Sequence, residues 1–238
     1  MSFPGATWSR CADQPSSNNH ATDDPGAGLP AVTTSQTRSL TDTQRALKRS
    51  FDLMIGIVAL GIVLPALIII SCLIWLDSGG PVLFRQRRRG LNCRPFDIYK
   101  FRTMRTLDNG PIVEQVGRND PRVTRVGRIL RKFSLDELPQ ILNVIRGEMS
   151  FVGPRPHAVA HDDVYSALIS FYSERHCVKP GITGWAQING WRGATPSLES
   201  MVSRVEHDLW YLDHWSLFLD AKILFRTLAC VVGSENAY

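Results

Sequence analysis

The chain has 238 residues, with 27 Lys and Arg against 22 Asp and Glu, a formal charge of +5 and a pI near 9.1. It is long enough for one substantial domain plus accessory segments, and it needs no staples to bury a core. Its five cysteines (Cys11, Cys72, Cys93, Cys177, Cys230) include no Cys-x-x-Cys pair, and no histidine pairs with one of them at zinc-ligand distance. The sequence therefore predicts reduced thiols, no structural disulfide and no zinc site, and its basic balance points to an anionic partner.

Residues 1–43 are rich in Ser, Thr, Asp, Ala, Gly and Pro. Such a stretch buries too little apolar surface to offset the entropy of ordering, so a disordered tail is expected. It is not a signal peptide, because Arg10 is followed by no apolar core. Residues 44–78 form the second expected segment and 79–238 the third. Within 44–78, residues 53–76 carry no charge. A span needs about 20 apolar residues, so this run is long enough to cross a bilayer. Pro65 lies near its centre, where it removes a backbone hydrogen bond and bends the helix. Basic residues flank both ends: Arg45, Lys48 and Arg49 before, Arg85, Arg87, Arg88 and Arg89 after. Basic flanks stay cytoplasmic, and here both do. A re-entrant helix, entering and returning to one face, meets both observations; a plain span and a buried core helix are the alternatives. Ser71 lies too far along to serve the carbonyl freed at the proline.

Residues 81–84 and 95–101 read as a β-hairpin around the turn residues Gly90 and Asn92. A loop follows over 106–121. Helices are expected over 122–132, from Pro139 to a stop at Gly147, over 157–174 and over 198–232, with glycine- and proline-rich loops at 153–156 and 180–193. The fold class is thus α+β and mainly helical.

Asp136 and Glu137 stand next to each other in Ser-Leu-Asp-Glu-Leu-Pro (134–139), within the most arginine-rich part of the chain. Ser134 and Glu137 have capping-box spacing. Carboxylates at a helix start serve either as caps or as chemistry, one attacking phosphorus while the other holds a divalent cation. Arg118, Arg122, Arg125 and Arg128 share a helical strip, which suits a solvated face, anionic lipid or phosphate. Arg131, beside the carboxylates, and Arg155, fixed between two prolines, are the stronger phosphate candidates. The hairpin residues Arg85, Arg87, Arg88, Arg89, Lys100 and Arg102 fit membrane contact better than nucleic acid. The aromatic C-terminal helix suits either the headgroup layer or a core, and the histidines show no ligand pairing.

Several ordered stretches carry a resemblance. They are Lys48-Arg49-Ser50-Phe51-Asp52, Ser78-Gly79-Gly80-Pro81-Val82, Lys100-Phe101-Arg102-Thr103-Met104 and Asn119-Asp120-Pro121-Arg122-Val123-Thr124. Residues 134–140, 150–156, 179–190 and the terminal Asn236-Ala237-Tyr238 continue the series. From Lys48 onward the chain resembles the bacterial sugar transferase family of monotopic phosphoglycosyl transferases. The resemblance implies a monotopic membrane protein with a re-entrant helix broken at Pro65, a small hairpin and interfacial amphipathic helices. It implies transfer of a hexose 1-phosphate, glucose before galactose, from a UDP-hexose to undecaprenyl phosphate, starting exopolysaccharide assembly. Asp136 would be the nucleophile, Glu137 the ligand of Mg²⁺, and Lys100, Arg131 and Arg155 the phosphate-binding residues. The implied location is the cytoplasmic face of the bacterial inner membrane, with membrane lipid and downstream glycosyltransferases as partners and no nucleic acid. Leu64 stands where some relatives place Ser before the proline, and the short polar tail resembles the minimal, exopolysaccharide-initiating form. A membrane-anchored nucleotide-sugar hydrolase and a non-catalytic membrane scaffold are the competing functions.

Overall fold

The computed structural model describes residues 39–105, 120–193 and 197–233. Residues 1–38 of the expected tail, Arg118 and the terminal Asn236-Ala237-Tyr238 lie outside them.

Helix α1 (Asp42–Ser78) opens on a capping box: Thr41 Oγ1 accepts from the Gln44 amide at 3.3 Å, and the Gln44 side chain accepts from the Thr41 amide at 2.9 Å. It stays helical through Pro65 and ends at Gly79, whose φ of 57° favours glycine. Ile55, Gly56, Ala59, Leu60 and Val63, then Leu67, Ile70 and Ile74, face the rest of the protein at three- and four-residue spacing, so a single stripe is covered. The opposite side leaves Ile57, Val58, Ile62, Ile68, Ile69, Trp75 and Leu76 exposed. The helix is long and apolar enough to cross a membrane, and only 11% of its most apolar stretch is buried. That openness rules out a core helix. Both ends bond to the same body. Arg49 donates to the carbonyls of Val144 (2.6 Å) and Ile145 (2.7 Å), and Asp52 accepts from Ser150 Oγ and the Phe151 amide, each at 3.0 Å. At the far end Asp77 accepts from the Val126 amide at 3.1 Å. Ser71 bonds the carbonyl of Leu67 at 2.6 Å and so does nothing for the Gly61 carbonyl that Pro65 deprives of a donor.

Strands β1 (Leu83–Arg89) and β2 (Pro95–Phe101) form the expected antiparallel hairpin, with Leu83 opposite Phe101 and Arg89 opposite Pro95. Strand β1 runs on through the arginines to Arg89, beyond its expected end at residue 84. Much of the expected membrane patch therefore points into protein: Arg88 reaches Gln86 and the Pro156 carbonyl (3.1 Å), and buried Arg102 reaches Ser78 Oγ (2.6 Å) and the Gly79 carbonyl. Cys93, in the turn, is disulfide-bonded, which corrects the expectation of reduced thiols at this position. Buried Asn143 clamps the hairpin by accepting from the Tyr99 amide (3.0 Å) and donating to the Asp97 carbonyl (2.8 Å).

Helix α2 (Arg125–Lys132) starts after Thr124, whose hydroxyl caps it, three residues later than expected. Arg122 thus leaves the predicted strip and pairs with Asp120 at 2.7 Å. A 3₁₀ turn (Leu135–Gln140) leads into α3 (Ile141–Arg146), which stops at Gly147. The expected helix over 157–174 is divided into α4 (Val159–Leu168) and a 3₁₀ turn (Tyr172–Cys177). Two loops expected to be irregular contribute a short parallel pair, β3 (Ser150–Val152) with β4 (Gly181–Thr183). A Cβ on Gly181 would lie 2.1 Å from the Gly153 nitrogen, and one on Gly184 2.3 Å from the Gly153 carbonyl oxygen. Only glycines allow these loops to meet. After α5 (Trp185–Ile188), the C-terminal region forms α6 (Leu198–Asp213) and α7 (Leu217–Gly233). Its aromatics divide between core and surface. Tyr211 is buried with Val144, Met149, Val152, Val205 and Ile223, whereas Phe218 and Phe225 are exposed.

Candidate active site

Pro139 has no N–H to donate, so the chain tightens into a 3₁₀ turn before α3 begins. Ser134 enters that turn in the left-handed region (φ 54°) and makes no side-chain cap, which corrects the capping-box expectation. Its hydroxyl instead accepts from Arg192 at 2.8 Å. The two carboxylates of the turn then have different surroundings.

Glu137 is saturated with cations. Its Oε1 accepts from Lys100 at 2.7 Å and from Arg155, while Oε2 accepts from the other Arg155 nitrogen at 3.0 Å. Burial pushes its pKa up, but Arg155 and Lys100 outweigh burial and hold it well below the usual carboxylate range. Asp136 accepts no hydrogen bond and makes no ion pair among the described residues. Burial, and next the charge of Glu137, push it up to about 6 against the pull of Lys100, Arg131 and Arg155. Two adjacent carboxylates are thus driven apart, one fixed as an anion and one titrating near neutrality.

The three cations singled out from the sequence gather here. Lys100 comes from β2 and Arg155 from the Gly-Pro-Arg-Pro loop; both bind Glu137, and Arg131 at the end of α2 acts on Asp136 through its charge. The loop is braced from behind. Arg175 donates to the Arg155 carbonyl and to Asp208, both at 2.7 Å, and to His157 Nδ1 at 2.8 Å; Tyr172 donates to Asp162 at 2.7 Å. Burial, reinforced by Arg175, pushes His157 far below 6.5, so it is a neutral acceptor in this network. Sequence reasoning gave His157 and Arg175 no role. It also missed Arg88, pushed down to about 10 by burial and by Arg155 across the site. Strand alternation was the available signal for Arg88, since every second residue of β1 turns inward. Arg192 had only its place in a Trp-Arg-Gly loop.

No three His, Cys, Asp or Glu side chains gather as a metal-binding group among the described residues. The pair nevertheless fits a hard cation. Mg²⁺ is held by one or two carboxylates together with substrate phosphates and water, and Glu137 Oε2 takes a single hydrogen bond while Asp136 takes none.

The chain matches the family model described as bacterial sugar transferase over residues 43–234. It is 51% identical, over 89% of its length, to the UDP-glucose:undecaprenyl-phosphate glucose-1-phosphate transferase of Escherichia coli (strain K12), and spans 45% of that protein. A protein of the same name from Caulobacter vibrioides is 50% identical over 80% of this chain, which covers 72% of it. The UDP-N-acetylgalactosamine-undecaprenyl-phosphate N-acetylgalactosaminephosphotransferase of Aeromonas hydrophila is 40% identical over 80% of this chain, which covers 45% of that protein. An adjacent carboxylate pair ringed by cations, carried below a long apolar helix and matched along nearly its whole described length, makes this chain a member of the bacterial sugar transferase family.

Proposed function

We propose that the protein transfers a hexose 1-phosphate from a UDP-sugar to undecaprenyl phosphate in two displacements. An oxygen of Asp136 attacks the β-phosphorus, the bond from that phosphorus to the bridging oxygen breaks, and UMP leaves with the electron pair. The oxygen of undecaprenyl phosphate then attacks the same phosphorus, the Asp136 ester bond breaks, and undecaprenyl-diphosphate hexose forms. Neither step consumes a proton, so the site needs an ionised nucleophile and positive charge rather than a general base. One observation carries this reading: among the described residues Asp136 accepts no hydrogen bond and makes no ion pair, while Glu137, beside it, binds two cations. A non-catalytic scaffold has no use for an uncompensated carboxylate in that position.

Lys100, Arg131 and Arg155 would bind the diphosphate, Arg155 with its two-pronged guanidinium. Glu137 would hold Mg²⁺, which when bound offsets charge on the diphosphate. Glucose is favoured as the sugar, because the relatives at about 50% identity carry glucose in their names. The lipid-linked product would serve later glycosyltransferases in exopolysaccharide assembly.

The domain would sit monotopically on the cytoplasmic face of the inner membrane, with α1 re-entrant. Bonds from both ends of α1 to one body support this, because a plain span would carry one end to the far side. Cysteines placed near residues 40 and 90 should both label from the cytoplasm, and a periplasmic signal from either would contradict the re-entrant helix. For the chemistry, purified full-length protein should release close to one equivalent of UMP from UDP-glucose with no lipid acceptor present. Release that requires undecaprenyl phosphate would reject the two-step route, and continuous release without it would favour hydrolysis.

A further inference from the structure

A cavity of about 310 Å³ lies at the other end of the helical segment that carries Asp136. The first turns of α1 form one wall, with Arg45, Lys48, Arg49 and Asp52; Cys177, Val178 and Lys179 face them, with Leu40, Ala46 and Leu91 between. From residue 136 to residue 146 the 3₁₀ turn and α3 rise roughly 15 Å, so this space is separate from the carboxylate pair.

The charges around the cavity do not cancel. Lys48 is paired with Asp220 at 2.6 Å, and Arg45 with Asp42 at 3.2 Å. Among the described residues Arg49 donates only to backbone carbonyls, which carry no net charge to offset it. Lys179 has no hydrogen-bond or ion-pair partner among the described residues, although it is half-buried. Among the described lining residues only Asp52 opposes these two cations, which leaves about one uncompensated positive charge by simple counting. Burial pushes the Lys179 ammonium down, and Arg49 adds to this, so an anion beside it would oppose that shift. Cationic walls require an anion; the apolar remainder of the lining requires that anion to carry hydrocarbon.

The position on the molecule identifies which kind. The cavity opens beside residues 40–52, immediately before the uncharged run begins at Leu53, and half-exposed Leu47 and Met54 flank that junction. Phe218, 80% exposed, starts the helix whose Asp220 binds Lys48. A boundary between a basic wall and an open apolar helix is where phospholipid headgroups lie. We propose that this cavity binds the phosphate headgroup of an anionic glycerophospholipid, with Lys179 and Arg49 on the phosphate and an acyl chain along α1. Such a lipid would brace α1 against the C-terminal end of α3, where Arg49 already ties the two together.

The proposal rests on the membrane-face reading but not on the transfer chemistry, and its test is chosen accordingly. Cys177 lines the cavity, so its alkylation, followed by peptide mass spectrometry, reports occupancy. Full-length protein is reconstituted in vesicles of phosphatidylcholine alone, of phosphatidylcholine with phosphatidylglycerol, and of phosphatidylcholine with added inorganic phosphate. Phosphatidylglycerol should slow alkylation of Cys177 at least tenfold in wild type, and less than twofold in Lys179→Gln and Lys179→Glu. Co-sedimentation with the vesicles should be the same for all three proteins, since α1 supplies the anchor. Equal rates in all vesicles, or protection that survives Lys179→Glu, would overturn the proposal. Protection by inorganic phosphate alone would overturn the lipid as ligand and leave a soluble phosphate. Loss of co-sedimentation in wild type would instead condemn the membrane-face reading itself.

Discussion

Two clusters of charge in this molecule use the same residue types to opposite ends. At the base of α1, Lys48 and Asp220 meet at 2.6 Å with 7% and 1% of their side chains exposed. Tyr211 donates to one Asp220 oxygen at 2.7 Å, and Trp215 donates to the other at 3.2 Å. Lys48 and Asp220 neutralise each other, so this pair holds a helix in place. In the Leu135–Gln140 turn two carboxylates share one neighbourhood, and both bonded cations go to Glu137. Asp136 is left in a partly dry place beside an anion, with its pKa drawn up to about 6. Neutralisation makes a joint, and withheld neutralisation suits the nucleophile proposed above.

The contrast breaks most completely if Asp136 proves replaceable. Asp136→Asn keeps the shape but removes the attacking anion, so turnover should fall by a factor of about 10⁴ or more, measured at equal folded concentration. Lys48→Met tests the joint. It strands Asp220 without its cation and should cost ~3–5 kcal/mol in denaturant unfolding, while UMP release per folded molecule stays within about threefold. The double variant Lys48→Met with Asp220→Leu should recover most of that loss, because no charge is then left alone. Arg155→Lys comes next in size. Loss of the paired contact to Glu137 and phosphate should lower kcat/KM roughly tenfold to a hundredfold, whereas Arg125→Lys, on the exposed side of α2, should change it less than twofold.

The smallest effect concerns stability and pH. Asp136 has a folded pKa near 6, above its ordinary value of 3.8, so its contribution is favourable below 3.8 and is lost as pH rises through 6. Asp136→Asn should therefore be more stable than wild type by ~1–3 kcal/mol at pH 8, and the difference should vanish near pH 3.5. The same shift predicts that UMP release falls about tenfold per pH unit below 6. Equal stability of the two proteins across that range would mean that Asp136 is compensated after all.

The joint was less legible in the sequence than the site. Asp136, Glu137, Arg131 and Arg155 could be named because carboxylates and arginines that crowd together in a basic chain limit the chemistry open to them; Lys100 entered the site only with the family resemblance. Lys48 could be read only as a flanking charge, since its partner Asp220 is 172 positions away and nothing local announces it. The same distance hid the brace behind Arg155, where Arg175, Asp208 and His157 meet from separate elements. Local rules also misplaced boundaries. Ser134 satisfied a capping-box spacing, yet Pro139 forced a 3₁₀ turn and Arg192 took the hydroxyl. Strand β1 outran its expected end at residue 84 because its last five residues, Arg85 to Arg89, carry no apolar side chain to extend the β pattern. The parallel pairing of β3 with β4 depends on glycines that touch across 28 residues, which no window of sequence displays.

The central claim is that Asp136 is a nucleophile, and it is tested most directly by looking for the bond it would form. Full-length protein mixed with UDP-glucose and Mg²⁺, without undecaprenyl phosphate, should gain the mass of one hexose phosphate. Peptide mapping should place that mass on Asp136, and undecaprenyl phosphate should remove it as the lipid-linked product appears. An unmodified Asp136 under conditions where the complete mixture turns over, or an adduct of equal amount in Asp136→Asn, would contradict the account.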